Sequence, residues 1–583
     1  MTLQFTFLHK DSNLDYFLNL LVAVAEQFSV EYAYKIDSEK LYFFAKKESL
    51  QDFIDALQGA IPLSLYFKIV GVESYEKDID FHCDFKHSRI FTLDTINAIK
   101  NPQSPHFCDI FGLDSVRIVY RGDFSEAKDG DSNKAVESAI DSKDKLKNAL
   151  FEIVDLLKSG QRVTLKTSKG VITLSLKPDF PSDSNKSDSK ATQNARKTHN
   201  KTTQDSASSS DSANLLDCDS TKWASFDCIV VNDIASVELF SRASKEQIEA
   251  LASFEKPLIN LNVKDVFTAD LHCKNARFIL PYDVVLYCLS SVMISYDIAF
   301  VFVRFAESSL INLSYDLPAC ILPKKSEFFE IVVGGNGYFL TKNALDSSVG
   351  FEAFLAMNFA ESQDIHKQDS IKTDDIFMIY TSLQNPTFIA KLSDKIPLVK
   401  VAFDKNPKNI LQKIAMLENG DKLIGNFKNA FEERFLAIDS LDSTPQYTQN
   451  ILDIFEVVAV FLGCEADKSV VLDLAESYLR PIGPKVDFKN IESNGEILYN
   501  EILTIRSVMS FALAGVESEV LCFGIVESLV DYLVLFCRQI QEKFYIKNIG
   551  IVGDMFANQI FFDKITRKIP ASFNLMFPKY LDI

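Results

Sequence analysis

From residue 181 to residue 215 the chain is a run of Ser, Asp, Lys, Thr and Asn with almost no apolar side chain. Such a stretch cannot bury enough surface to offset the entropy of ordering it, which predicts disorder there. The constraint reaches beyond the tract itself. Strand-like segments stand on both sides of it, residues 162–167 and 171–176 before, 228–231 and 257–263 after. The tract is therefore expected to interrupt one α/β domain rather than to separate two. Its role is either a passive insertion or a segment that docks partners.

A chain of 583 residues exceeds what one core holds, and about three to five domains are expected. Its 47% hydrophobic content, with 48 Phe, is ample for those cores. A net charge of -19 argues against a dedicated nucleic-acid binder, which needs a basic face to displace counterions. The start Met1-Thr2-Leu3-Gln4-Phe5 lacks a basic region and a long apolar core, so no secretory signal is expected. The longest apolar candidates, 14–28 and 283–303, are broken by Asn19, Glu26, Ser290, Ser295, Tyr296 and Asp297. No membrane insertion is expected of them, and a soluble, cytoplasmic protein is. The 10 Cys include no Cys-x-x-Cys pair, which argues against a zinc ribbon and a disulfide scaffold alike.

Periodicity divides the chain further. Residues 3–8, 30–36, 40–45 and 65–72 read as strands, and 14–28 and 50–57 as helices. Their order is that of a ferredoxin-like sandwich over residues 1–78. Residues 79–145 read as irregular, ending in an acidic run, and 146–158 as a helix. The last part alternates strands with helices, notably 451–462, 495–514 and 524–544. Near the end, Gly550-Ile551-Val552-Gly553-Asp554-Met555-Phe556-Ala557-Asn558-Gln559 has the pattern of a strand, a tight phosphate- or nucleoside-facing turn and a helix start.

Taken in order, these segments resemble the large carbamoyltransferase of NiFe-hydrogenase maturation, the HypF family. Residues 53–57, Pro62 and 69–73 look like the last helix and strand of its acylphosphatase-like head. Residues 163–166, Gly170, 255–259 and Leu280-Pro281-Tyr282 correspond to its YrdC-like domain, which is similar to threonylcarbamoyl-adenylate synthases. Val333-Gly334-Gly335, 452–459 and 553–558 look like landmarks of its actin-like (ASKHA-type) last domain, similar to threonylcarbamoyl-transferases. The resemblance implies an α/β multidomain fold. Its parts are an acylphosphatase-like domain over 1–78, a reduced zinc-finger remnant with an acidic linker over 79–145, a YrdC-like domain over 146–320 with the insertion 181–215, and an actin-like domain over 325–583.

The same resemblance names candidate sites and shows where they are altered. Lys166 and Gly170, then Gly334 and Gly335, then Gly553 and Asn558, are the candidate nucleotide contacts, for ATP or AMP; a surface lysine and plain turns are the alternatives. Cys83, His87, His106 and Cys108 are the candidate zinc ligands, with His82 beside them. Asp453, and Glu418 to Asp421, are either a carboxylate cation site or a helix start and a solvated loop. Against these stand the departures. No Gly-rich, Arg-bearing phosphate loop occurs at residues 7–13, and Val303-Arg304 replace small hydroxyl residues. None of the seven histidines lies beyond His366, so the last domain has no imidazole pair for a metal. Gly553-Asp554 stands where a glycine pair is expected, which puts a carboxylate near a nucleotide's negative charge. The expected function is a non-catalytic accessory factor for NiFe-hydrogenase expression and maturation, binding the hydrogenase large subunit or maturation proteins. The rival is a partial enzyme that forms carbamoyl-adenylate from ATP in the middle domain.

Overall fold

The computed structural model describes residues 2–9, 14–37, 39–77, 79, 93–111, 116–121, 137–178, 226–305, 311–316, 327–342, 351–359, 376–392, 398–493 and 495–581. The polar tract 181–215 lies outside the described residues.

The alternation of Leu3, Phe5 and Phe7 puts one face of the first strand, Thr2–His9, into a core. It pairs antiparallel with Lys40–Lys46 on one side and Phe67–Ser74 on the other, and Glu31–Ile36 closes the sheet outside Lys40–Lys46. The helices Leu14–Gln27 and Gln51–Ala60 supply the rest of this core, so the split β-α-β arrangement expected from the sequence is present. At its centre Phe17 stacks on Phe67 with ring centroids 4.0 Å apart, and Phe67 on Phe7 at 4.9 Å.

Eleven described strands form the next sheet, from Arg117–Arg121 through Phe339–Thr341. Gly170–Ser175 lies between Val163–Thr167 and Phe300–Phe305, and Cys228–Val231 follows directly beyond Phe300–Phe305. Strands before and after the polar tract are thus neighbours in one sheet. Val163, Leu165, Ile172, Leu174, Val301 and Val303 share a core with the helices Lys143–Lys158 and Val284–Ser295. Ile229, Val231, Phe278 and Phe302 fill the other face, with the helices Ile234–Phe240 and Lys245–Ala252.

Two expectations change here. The stretch read as irregular holds the helix Leu93–Lys100 and the last two strands of this sheet, Arg117–Arg121 and, at its edge, Glu137–Ile140. Such short strands carry little periodic signal of their own. The boundary expected near residue 325 falls inside the sheet, because Glu330–Val333 runs parallel to Leu258–Asn262 and pairs with Phe339–Thr341.

The C-terminal part is built on the strands Phe388–Lys391, Ile376–Tyr380, Asn548–Val552 and Asn574–Met576, in that order. The helix read over 495–514 begins only at Glu501, where the Asn500 side chain accepts from Ile502 N at 3.2 Å. Its first residues are instead the hairpin Asn490–Ser493 and Glu496–Tyr499, turning at Gly495 with φ +78°. The helix Ser518–Phe544 is long and apolar enough to cross a membrane, yet 78% of its most apolar stretch is buried within the fold. It is the spine of a core that includes Leu521, Val526, Leu529 and Leu533.

Phe17→Ala removes the ring that joins the first helix to the closing strand. Deleting such a ring is expected to cost about 3–5 kcal/mol. Limited proteolysis should then cut residues 1–77 first, while the C-terminal part stays resistant.

Candidate functional site

Gly334, Gly335 and Asn558 lie around the helix Gln559–Lys568, and packing is what brings them there. Gly335 N donates to Thr566 Oγ1 at 2.8 Å. A Cβ on Gly335 would stand 2.2 Å from Arg567 Cγ, and one on Gly334 would stand 2.6 Å from Thr566 Oγ1 and 2.9 Å from the Phe562 ring. The space in which a phosphate would approach these glycines is filled by the helix. Asn558 caps that helix, accepting from Phe561 N at 3.0 Å, and Gln559 Nε2 donates to Val333 O at 2.5 Å.

The turn at Gly553 closes a second approach. The strands Ile376–Tyr380 and Asn548–Val552 are parallel, so their carboxyl ends open side by side, the place where α/β sheets commonly hold ligands. Gly553 has φ +118° and lies so close that a Cβ would meet Thr381 O at 2.0 Å. Beyond it the chain satisfies its own polar groups. Asp554 Oδ1 accepts from Leu383 N at 2.6 Å, and Asn450 Nδ2 donates to Ser382 O at 2.8 Å. Lys468 Nζ donates to the Leu383 carbonyl and lies 2.5 Å from Asp453 Oδ1, while Lys405 Nζ lies 2.6 Å from Glu456 Oε2. Asp453 is thereby engaged by a lysine and by the Thr448 hydroxyl. The Thr381 hydroxyl is buried without a hydrogen-bond partner among the described residues. These side chains and the Asp554 carboxylate do not fit a nucleotide phosphate at this place.

In the large sheet Lys166 is exposed, and Gly170 closes the hairpin opposite Thr167 with φ +129° and open space beside it. Lys166 lies on the face of its strand that carries Thr164. Thr164 Oγ1 and Thr173 Oγ1 are 3.0 Å apart, and Arg304 is the next residue along the same cross-strand row. This face, with hydroxyls between cations, fits an anionic group better than the C-terminal crevice does.

The buried lysine of the region is Lys169, which the sequence reading passed over. Lys169 stands in the two-residue turn between Val163–Thr167 and Gly170–Ser175, beyond the strand alternation, so no periodic signal in the sequence marks it. Its Nζ donates to the carbonyls of Glu255 at 2.8 Å and Lys256 at 2.9 Å. The rings of Tyr282 and Phe329 stand 5.3 Å from that nitrogen. Burial, helped by the positive charge of Lys256, pulls Lys169 down to about 7. Nearby, Asp283 accepts from Ser168 Oγ at 3.0 Å and Tyr315 OH at 2.9 Å and caps its helix through Leu286 N. Burial raises its carboxyl above the ordinary range. The turn that Lys169 holds also carries the N-terminal sandwich. Glu255 accepts from Leu65 N at 2.9 Å and from the Ser64 hydroxyl, and Phe254 stacks on Tyr16 at 4.3 Å.

Of the expected zinc ligands, Cys83 and His87 lie outside the described residues. His106 and Cys108 diverge, His106 being exposed beside Asp109 at 3.8 Å and Cys108 fully buried. Among the described residues no group of three or more His, Cys, Asp or Glu side chains is placed to hold a metal.

Glu476, another residue missed in the sequence, joins the C-terminal part to the large sheet. It accepts from Asn558 Nδ2 at 2.8 Å and from Asn275 Nδ2 at 3.4 Å. Burial and then Asp473 raise its carboxyl from an ordinary 4.5 to about 7, with Lys342 opposing. The native state thus holds more protons than the unfolded chain between those values, and stability falls as pH rises through that window. Glu476→Gln stays neutral at every pH. Its Tm is expected to match the parent near pH 5 and to exceed it at pH 8, and equal pH slopes in the two proteins would refute the assignment.

No family model matches the chain. Protein HydE of Wolinella succinogenes is 25% identical over 363 residues, which span 59% of this chain and 64% of HydE. A crystal structure of full-length HypF in a phosphate- and nucleotide-bound form aligns with 100% of this chain and 96% of its own, at a TM-score of 0.50 and 9% identity. The T. kodakarensis HypF structure aligns with the same coverage, at 0.51 and 10% identity. The chain therefore has the fold of HypF along its whole length and is similar in sequence to HydE over part of both chains.

Proposed function

We propose that this protein is a non-catalytic accessory factor for NiFe-hydrogenase expression and maturation, acting in the cytoplasm. It would bind hydrogenase subunits or maturation proteins on a frame descended from a carbamoyltransferase. In this reading the N-terminal sandwich is an acylphosphatase-like head, the part built on the large sheet a YrdC-like domain, and the part built on Ile376–Tyr380 and Asn548–Val552 an actin-like domain. The observation that carries it is the crevice at the ends of Ile376–Tyr380 and Asn548–Val552. Its amide and carbonyl groups are taken by Asp554, Asn450 and Lys468, all from the chain itself. Alignment with HypF end to end supports retention of the frame, which can serve as a binding surface.

The test is affinity purification of the tagged protein from its native cell under reducing conditions. Recovery of the hydrogenase large subunit or its maturation proteins is the expected result. Their absence, together with nucleotide held by the pure protein, would overturn the proposal.

The face bearing Lys166, Thr164, Thr173 and Arg304 favours a second reading, a partial enzyme that forms carbamoyl-adenylate from ATP and carbamate. Lys166 would then meet the nucleotide phosphates as a point charge, with Arg304 beside it. Under this reading Lys166→Ala abolishes ATP turnover and leaves partner binding intact. Turnover unchanged by the substitution would end it.

A further inference from the structure

Cys108 follows the helix Leu93–Lys100 in a tight turn, and Cys288 lies within the helix Val284–Ser295. They meet at one carbonyl. Ile99 O accepts from Cys108 N at 2.8 Å and from Cys288 Sγ at 3.3 Å. Both residues are 0% exposed. Cys108 reaches this position with φ +61°, a left-handed conformation that non-glycine residues seldom adopt. The backbone therefore holds that side chain inward against a cost.

We propose that Cys108 and Cys288 form a dithiol modification site that a low-molecular-weight disulfide converts to an intramolecular disulfide. In the first step one thiol, as its thiolate, attacks a sulfur of the small disulfide. The small S–S bond breaks, a mixed disulfide forms and one small thiol leaves with the proton. In the second step the other cysteine attacks the protein sulfur of that mixed disulfide. The Cys108–Cys288 bond forms and the second small thiol leaves, so the protein is oxidised by two electrons and the small disulfide is reduced to two thiols.

The shared Ile99 carbonyl keeps the two cysteines together, which makes the second step intramolecular and favours it over the mixed disulfide. The first step is slow in the closed state. Both thiols are buried away from solvent, so a small disulfide does not reach them there. Exchange then proceeds through opening of the segment that carries Cys108. That segment is tied down by the Ile99 carbonyl and by Lys143 Nζ on Pro105 O at 2.9 Å. The product cross-links this turn to a core helix far along the chain, which constrains the unfolded state and raises stability.

The test uses the full-length protein, incubated in a buffer of oxidised glutathione, quenched by alkylation in acid and digested. Mass spectrometry is expected to recover a Cys108–Cys288 cross-linked peptide, with an upward shift in Tm that dithiothreitol reverses. Both are expected to vanish in Cys288→Ser, which keeps a hydroxyl to donate to Ile99 O. If that variant folds poorly, the parent's peptide map still decides. Recovery of both cysteines as free thiols, as separate glutathione adducts or bonded to other cysteines, under conditions that oxidise exposed thiols, would overturn the proposal.

Discussion

The close approach of the helix Gln559–Lys568 to the hairpin at Gly334–Gly335 holds the two large parts of this molecule in register. Backbone meets side chain there at distances that leave no room for a Cβ. Val332 and Leu340, from the edge of the large sheet, consequently share one buried cluster with Phe561, Phe562 and Ile565 of the C-terminal part. Glycine is needed because any side chain would lever the helix away and open that cluster to water. Asn558 and Gln559 add directional hydrogen bonds at the start of the same helix. An apolar contact alone fixes proximity, and these bonds fix rotation as well.

The N-terminal sandwich is attached by a different device. Lys169, inside the large sheet, orders the turn at Glu255 and Lys256 by filling its carbonyls. That turn presents Phe254 and the Glu255 carboxylate to the sandwich. A buried lysine is costly unless its protons are matched, and the two carbonyls with the aromatic rings supply the match. Buried charge thus appears where segments join. In the C-terminal crevice it does comparable work, with Lys468, Asp453 and Asp554 closing strand ends that a ligand would otherwise meet.

Much of this was legible in the sequence, and the reasons for success and failure are physical. The sandwich could be read because Leu3, Phe5 and Phe7 alternate and the helix Leu14–Gln27 is apolar along one face. The strands flanking the polar tract could be read for the same reason. The short strands Arg117–Arg121 and Glu137–Ile140 could not, since four or five residues carry too little period to distinguish them from a loop. Gly334, Gly335, Gly553 and Asn558 read in the sequence as candidate nucleotide contacts. What approaches them is a helix and a strand end rather than a phosphate, because a sequence records the need for space and not its occupant. Lys166 drew notice in the sequence, whereas the lysine that the fold buries stands three residues later.

By itself the sequence determined the longer, strongly periodic strands and helices, since periodicity of apolar residues follows directly from the 2.0 and 3.6 repeats of backbone geometry. It also determined that the last part has no histidine beyond His366 with which to bind a metal. Only the tertiary structure decided which distant groups satisfy one another: Asp554 with Leu383, Glu476 with Asn275, Lys169 with Glu255, Cys288 with Ile99. Such pairings depend on where sheets and helices pack in three dimensions. A buried polar group takes whatever partner the packing brings within hydrogen-bond reach, and no local pattern in the chain encodes that distance.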